Sequence, residues 1–266
     1  MRILLPTRFL LPLAFALVGL GNAHADGIPN QGTWETTLLG RDINLNPVAA
    51  TDASAVYLYD KTLDITWLRD ANANVTGKVT ADANASVNGA MNWNTAMSWA
   101  TNLVTGSGAT AISDWRLPTM TDPAADENCS SGCINSGYTP ATSSSEMASL
   151  FFGTLGNKYY YDANGNAQLG YGLINAGSFQ NMQTSVYWLG TEYASRTTNT
   201  WQFNTGMGWQ YSFSKEQSLF ATAVRPGDVL APVPEPEAYA MLLAGLGVIG
   251  AVARRRQAGK PLATRS

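Results

Sequence analysis

The chain has 266 residues and a formal net charge of −3, and its one histidine is His24. Between residues 26 and 233, nine Lys and Arg stand against 17 Asp and Glu, a formal charge of −8. A body this acidic repels phosphate backbones, which excludes nucleic acid as a partner. A body without imidazole has no histidine base, histidine metal ligand or Ser-His-Asp relay.

The N-terminus has the layout of an export signal. Arg2 and Arg8 supply a positive start, residues 9–20 are almost wholly apolar, and Ala23-His24-Ala25 is a small-x-small cleavage site. Signal peptidase is expected to cut there, leaving a mature chain that starts at Asp26. The apolar run is short for a membrane span. Exported chains meet an oxidising compartment, so Cys129 and Cys133 in NCSSGC are expected to form a local disulfide. The loop it closes is very small and its stabilising effect modest. C-x3-C departs from the C-x-x-C spacing of redox and metal sites.

Residues 31–39 (QGTWETTLL) predict an entry strand or extended arm, and 55–59 with 65–68 an early hairpin. Residues 70–90 read as a polar, low-complexity loop. Within it Asp70, Asn72 and Asn74 have the 1-3-5 spacing of a calcium loop. Position six is Val75 instead of Gly and position twelve is Ala81 instead of Glu, which argues against an EF-hand. Asp162, Asn164 and Asn166 repeat the pattern with the same departures. Calcium is the one cofactor these loops admit, and a solvated loop is the alternative reading of both.

Residues 92–104 predict a helix with Trp93, Ala96, Met97, Ala100 and Val104 on its buried stripe. Ser143 to Glu146 reads as a capping box, with Ser143 as N-cap and Glu146 at N3. The helix it starts should turn Met147, Leu150 and Phe151 to the core. Strands are predicted over 186–193, 200–204 and 209–214, with 205–208 as a hairpin turn, and over 219–225, ended by Pro226-Gly227. Two helices ahead of an antiparallel meander predict an α+β fold. The length is enough for one well-packed domain.

At the C-terminus Pro234, Glu235 and Pro236 precede the uncharged run 238–253 and the cluster Arg254, Arg255, Arg256. The run is shorter than the about 20 residues that span a bilayer comfortably, and the arginines would stay cytoplasmic. This order and spacing resembles the PEP-CTERM sorting signal. The resemblance implies recognition by an exosortase, transient anchoring in the inner membrane, cleavage near Pro-Glu-Pro and a surface or extracellular destination. A permanent tail anchor is the alternative. The division that follows is 1–25 signal peptide, 26–228 extracellular domain, 229–237 proline-rich linker and 238–266 apolar helix with basic tail.

Inside the domain, Asp114-Trp-Arg-Leu-Pro-Thr119 is followed by Ser145-Glu-Met-Ala-Ser-Leu150, Tyr187-Trp-Leu-Gly-Thr191, Thr200-Trp-Gln-Phe203 and Ala223-Val-Arg-Pro226. This series resembles the Lcl C-terminal-domain family over residues 57–228. Its Trp-Arg-Leu-Pro-Thr core also resembles a motif of formylglycine-generating enzymes. The insertion at 120–142, which carries the cysteine pair, departs from the pattern. The resemblance implies a single C-type-lectin-like extracellular domain and recognition of polysaccharide, in exopolysaccharide or biofilm matrix. Trp201 and Trp209, flanking the hairpin turn, are with Tyr211 the candidates for stacking on a sugar; most of the eight tryptophans are expected in the core.

No catalytic residue is assigned. Formylglycine chemistry needs cysteines in the C-terminal half of the fold, and here the pair lies in an early insertion. Asp114, Glu146 and Glu192 are the carboxylates open to two-carboxylate glycoside hydrolysis, but Arg116 and Arg225 are expected to pair with them in a structural role. A non-catalytic envelope or matrix protein is a further class the composition permits.

Overall fold

The computed structural model describes residues 32–76, 88–122, 144–162 and 164–230. The export signal, Cys129, Cys133, and the sorting residues Pro234, Glu235, Pro236, Arg254, Arg255 and Arg256 lie outside the described residues.

The entry segment is not the expected continuous strand. Trp34–Thr37 is a helical turn, α1, and strand β1 starts only at Leu38, running Leu38–Asp42. The cause is local: the backbone N–H and hydroxyl groups of Thr36 and Thr37 all donate to the Thr33 carbonyl. After the two-residue strand β2 (Pro47–Val48), β3 (Ala55–Asp60) and β4 (Ile65–Leu68) form the expected hairpin, with Asp60 opposite Ile65.

A short helix α2 (Ala73–Thr76) follows, then α3 (Trp93–Asn102). Asn92 caps α3, its Oδ1 accepting from Thr95 N at 2.9 Å. The buried stripe of α3 differs from the predicted one. Trp99 and Leu103 are buried with Trp93, Ala96 and Ala100, while Val104 is 50 % exposed.

Helix α4 (Glu146–Ala148) runs on into a π turn, Ser149–Thr154. Its N-cap is Ser145, which accepts from Ala148 N at 3.3 Å. The predicted cap at Ser143 is therefore corrected by two residues, and Glu146 stands at the first helical position. Met147, Leu150 and Phe151 are fully buried, as expected.

The last third holds β5 (Val186–Glu192), β6 (Asn199–Asn204) and β7 (Trp209–Ser214), then β8 (Val224–Pro226). Residues 205–208 make the predicted turn, with Asn204 opposite Trp209. Two antiparallel sheets result, in the orders β2-β1-β3-β4-β8 and β5-β6-β7. The final strand is shorter than predicted because residues 219–223 serve both sheets. Leu219 pairs with Met91, Phe220 bonds Val186 and Trp188 on β5, and the Ala223 carbonyl accepts from Leu68 on β4.

Side chains alternate between two cores. Leu58, Trp67, Tyr187 and Leu189 enter one with Phe151 and Trp201; their neighbours Tyr57, Leu68 and Trp188 enter the other with Trp93, Trp99 and Trp115. Central strands covered on both faces explain the unbroken burial of β4. Two indole N–H groups tie the layers together: Trp188 Nε1 donates to Met91 O at 2.7 Å and Trp93 Nε1 to Leu189 O at 2.9 Å.

The described chain closes on a clamp. Arg41 donates to both carboxylate oxygens of Asp228, at 3.1 and 2.6 Å, and Val229 is buried in the second core. Among the described residues, a few short helices with antiparallel sheets make the architecture α+β or mostly β. Among the described residues, no helix is long and apolar enough to cross a membrane.

Candidate binding surface

The five distinctive stretches of the sequence converge in space. Arg116 pairs with Val224 through both backbone groups, at 2.8 and 2.9 Å. Its Nη1 and Nη2 donate to Glu146 Oε2 and Oε1, each at 2.7 Å, and Thr119 N donates to Oε2 at 2.6 Å. Arg225 forms a second fork on Asp114, at 2.7 and 2.8 Å. Gly190 N donates to Pro118 O at 2.8 Å, and Thr200 Oγ1 to Thr191 O at 2.7 Å. Lys215 pairs with Glu192. Asp114, Glu146 and Glu192, the three carboxylates considered for hydrolysis, are thus each engaged by a different cation.

The stacking candidates separate. Trp201 is fully buried, edge-on to Tyr193 at 5.5 Å between ring centres. It lies on the central strand β6 and faces the core, so it has no surface to offer a ligand; that expectation is corrected. Trp209 and Tyr211 stay half-buried on the edge strand β7. With Phe213, 47 % exposed, they share one face of that strand by the two-residue period. Burial pushes the Tyr211 phenol up.

Trp209 is continued by aromatic residues that sequence reasoning missed. Tyr160 stands 6.5 Å from Trp209 and 4.6 Å from both Tyr161 and Tyr171. Tyr159, itself buried, supports Trp209 edge-on at 6.4 Å. Local bonding explains the arrangement. Gln168 Nε2 donates to the carbonyls of Tyr159 and Tyr161, at 2.8 and 3.0 Å, holding the tyrosine run extended. Tyr160 N donates to Met207 O at 2.9 Å, docking the run on the β6–β7 turn. Gly172, at φ +80°, lets the returning chain approach that turn: a Cβ there would sit 2.5 Å from Gly206 O. Leu169 and Ile174 flank Tyr171 in the chain and are 94 % and 70 % exposed. The signal for this surface was the run Tyr159-Tyr160-Tyr161 itself.

The two Asp/Asn loops also differ. Asp162 Oδ1 accepts from Asn164 N and Asn166 N, at 2.8 and 2.9 Å, and both asparagines are exposed. These bonds, Asn166 first, hold the Asp162 carboxyl below the usual range. This is an Asx turn that reverses the chain. Asp70, Asn72 and Asn74 are all buried. Asp70 Oδ1 accepts from Asn72 N at 3.1 Å, and Oδ2 from Asn181 Nδ2 at 3.0 Å. Among the described residues, no group of three or more His, Cys, Asp or Glu could hold a metal ion.

Residues 232–257 match the PEP-CTERM protein-sorting motif. The match implies export, recognition by an exosortase and processing at the C-terminus. No curated protein and no solved structure matches the chain.

Proposed function

We propose that the chain is a non-catalytic, exosortase-processed module that binds a neutral polysaccharide at the cell surface or in the extracellular matrix. The observation that carries the reading is the aromatic surface of Trp209, Tyr211 and Phe213 on β7, extended by Tyr160 and Tyr171. Aromatic faces stack on sugar rings through apolar contact and leave the hydroxyl groups to water. The excess of acidic residues opposes anionic polymers and leaves neutral glycans as the favoured ligands. The apolar C-terminal segment anchors the chain only until the exosortase acts. The convergence of the five distinctive stretches supports a domain of the Lcl C-terminal, C-type-lectin-like kind.

Affinity electrophoresis of the tail-processed protein through gels carrying neutral or acidic polysaccharides tests this. We expect retardation by a neutral polymer, weakened about 3- to 10-fold by Trp209→Ala or Tyr171→Ala with unfolding midpoints largely kept. A folded protein that no neutral polysaccharide retards removes the reading and leaves a structural matrix component.

A further inference from the structure

We propose that Asp70, Asn72 and Asn74 form a site for a hard divalent cation, calcium, immediately after β4. This inference does not rest on the glycan-binding reading. Three stretches of the chain have the form Asp-x-Asn-x-Asn: 42–46, 70–74 and 162–166. Two are Asx turns at the surface. Asp42 Oδ1 accepts from Asn44 N and Asn46 N, at 2.9 and 2.8 Å, as Asp162 does from Asn164 and Asn166.

The third stretch is built differently. Asp70, Asn72 and Asn74 are only 6 %, 7 % and 1 % exposed. Asn72 Nδ2 donates to Asn88 O at 3.1 Å and Asn74 Nδ2 to Gly89 O at 2.7 Å. Consecutive residues therefore hold both carboxamide nitrogens, which fixes how each side chain is turned. Asn72 Oδ1 and Asn74 Oδ1 are buried, and among the described residues neither accepts a hydrogen bond. Native interiors rarely leave two neighbouring acceptors in that condition. Asp70 supplies a carboxylate within the same five residues, steadied by Asn181.

Such a donor set contains only oxygen, which selects hard cations over those that favour thiolate or imidazole. Calcium accepts six to eight oxygens in irregular geometry, whereas magnesium demands a near-ideal octahedron. A bound calcium ion would satisfy both amide oxygens at once, with water in the remaining positions. A single carboxylate sets the affinity in the weak range of extracellular modules, with Kd about 10⁻⁴–10⁻³ M. That range suits a chain sorted to the exterior.

The test is a titration of chelator-stripped full-length protein in detergent with calcium chloride, and separately with magnesium chloride. Heat and thermal unfolding are read without any glycan. We expect saturable calcium binding, a raised Tm, and magnesium weaker by about tenfold or more. Asp70→Asn should weaken calcium by about tenfold or more, while Asp162→Asn leaves it unchanged. If Asp70→Asn fails to fold, the unmutated protein still decides: no saturable response up to about 10 mM calcium overturns the proposal. Equal loss of binding in Asp162→Asn also overturns it. Because no polysaccharide is present, a failure here leaves the glycan reading standing.

Discussion

Glu146 has both carboxylate oxygens committed, one to Arg116 Nη2 and the other to Arg116 Nη1 and Thr119 N. Glu146→Gln keeps the shape and removes the charge. We expect it to lower stability by about 2 kcal/mol in urea unfolding; an unchanged midpoint would show that the fork contributes nothing. Arg116→Lys should not substitute, because one ammonium cannot reproduce two parallel bonds. That Arg116 needs a carboxylate was legible in the sequence. Which carboxylate was not, because the choice among Asp114, Glu146 and Glu192 is made by the register of Arg116 against Val224. Trp201 shows the same limit. Thr200 and Gln202 are as buried as Trp201 and Phe203, so β6 carries no inside–outside contrast from which to read the direction of any one residue.

At the scale of elements, α3 was legible in its existence and its start but not in its last turn. The backbone turns extended at Leu103, with φ −67° and ψ 127°, and helical spacing ceases to apply there. Leu103 therefore enters the core and Val104 faces out. The N-cap is testable: Asn92→Ala should cost about 1 kcal/mol, read as a lowered urea midpoint. No change would mean that packing of Trp93 and Trp99 holds the first turn without it. The segment 219–223 was legible as apolar and extended. Its division between two sheets was not, because those bonds run to Met91, Val186 and Leu68, which local pattern cannot connect.

The molecule as a whole is acidic, and its carboxylates set how stability depends on pH. The fork from Arg225 holds the Asp114 carboxyl below the usual range, and hydrogen bonds from Asn46, Ser54 and Asn166 do the same for Asp42, Asp52 and Asp162. A depressed folded-state value means that the contribution is complete above the ordinary carboxyl value of 3.8 and is lost as pH falls through the folded value. Asp60 opposes them: burial raises its carboxyl, so its share of stability is lost as pH rises. With four depressed groups against one, the net expectation is a urea midpoint that falls as the solution is acidified below about pH 4. A midpoint that rises instead would mean that Asp60 outweighs the other four.

The clamp of Arg41 on Asp228 closes the fold at residues 228–230, and the sorting motif begins at residue 232. Any pull on the segment that carries the motif would enter the domain at this end. Such a pull would meet the two-pronged Arg41 grip and the plug of Val229 before it reached the short ladder between β4 and β8. The last residues of the domain are thereby fastened to β1, whereas Trp209 lies on β7 of the other sheet.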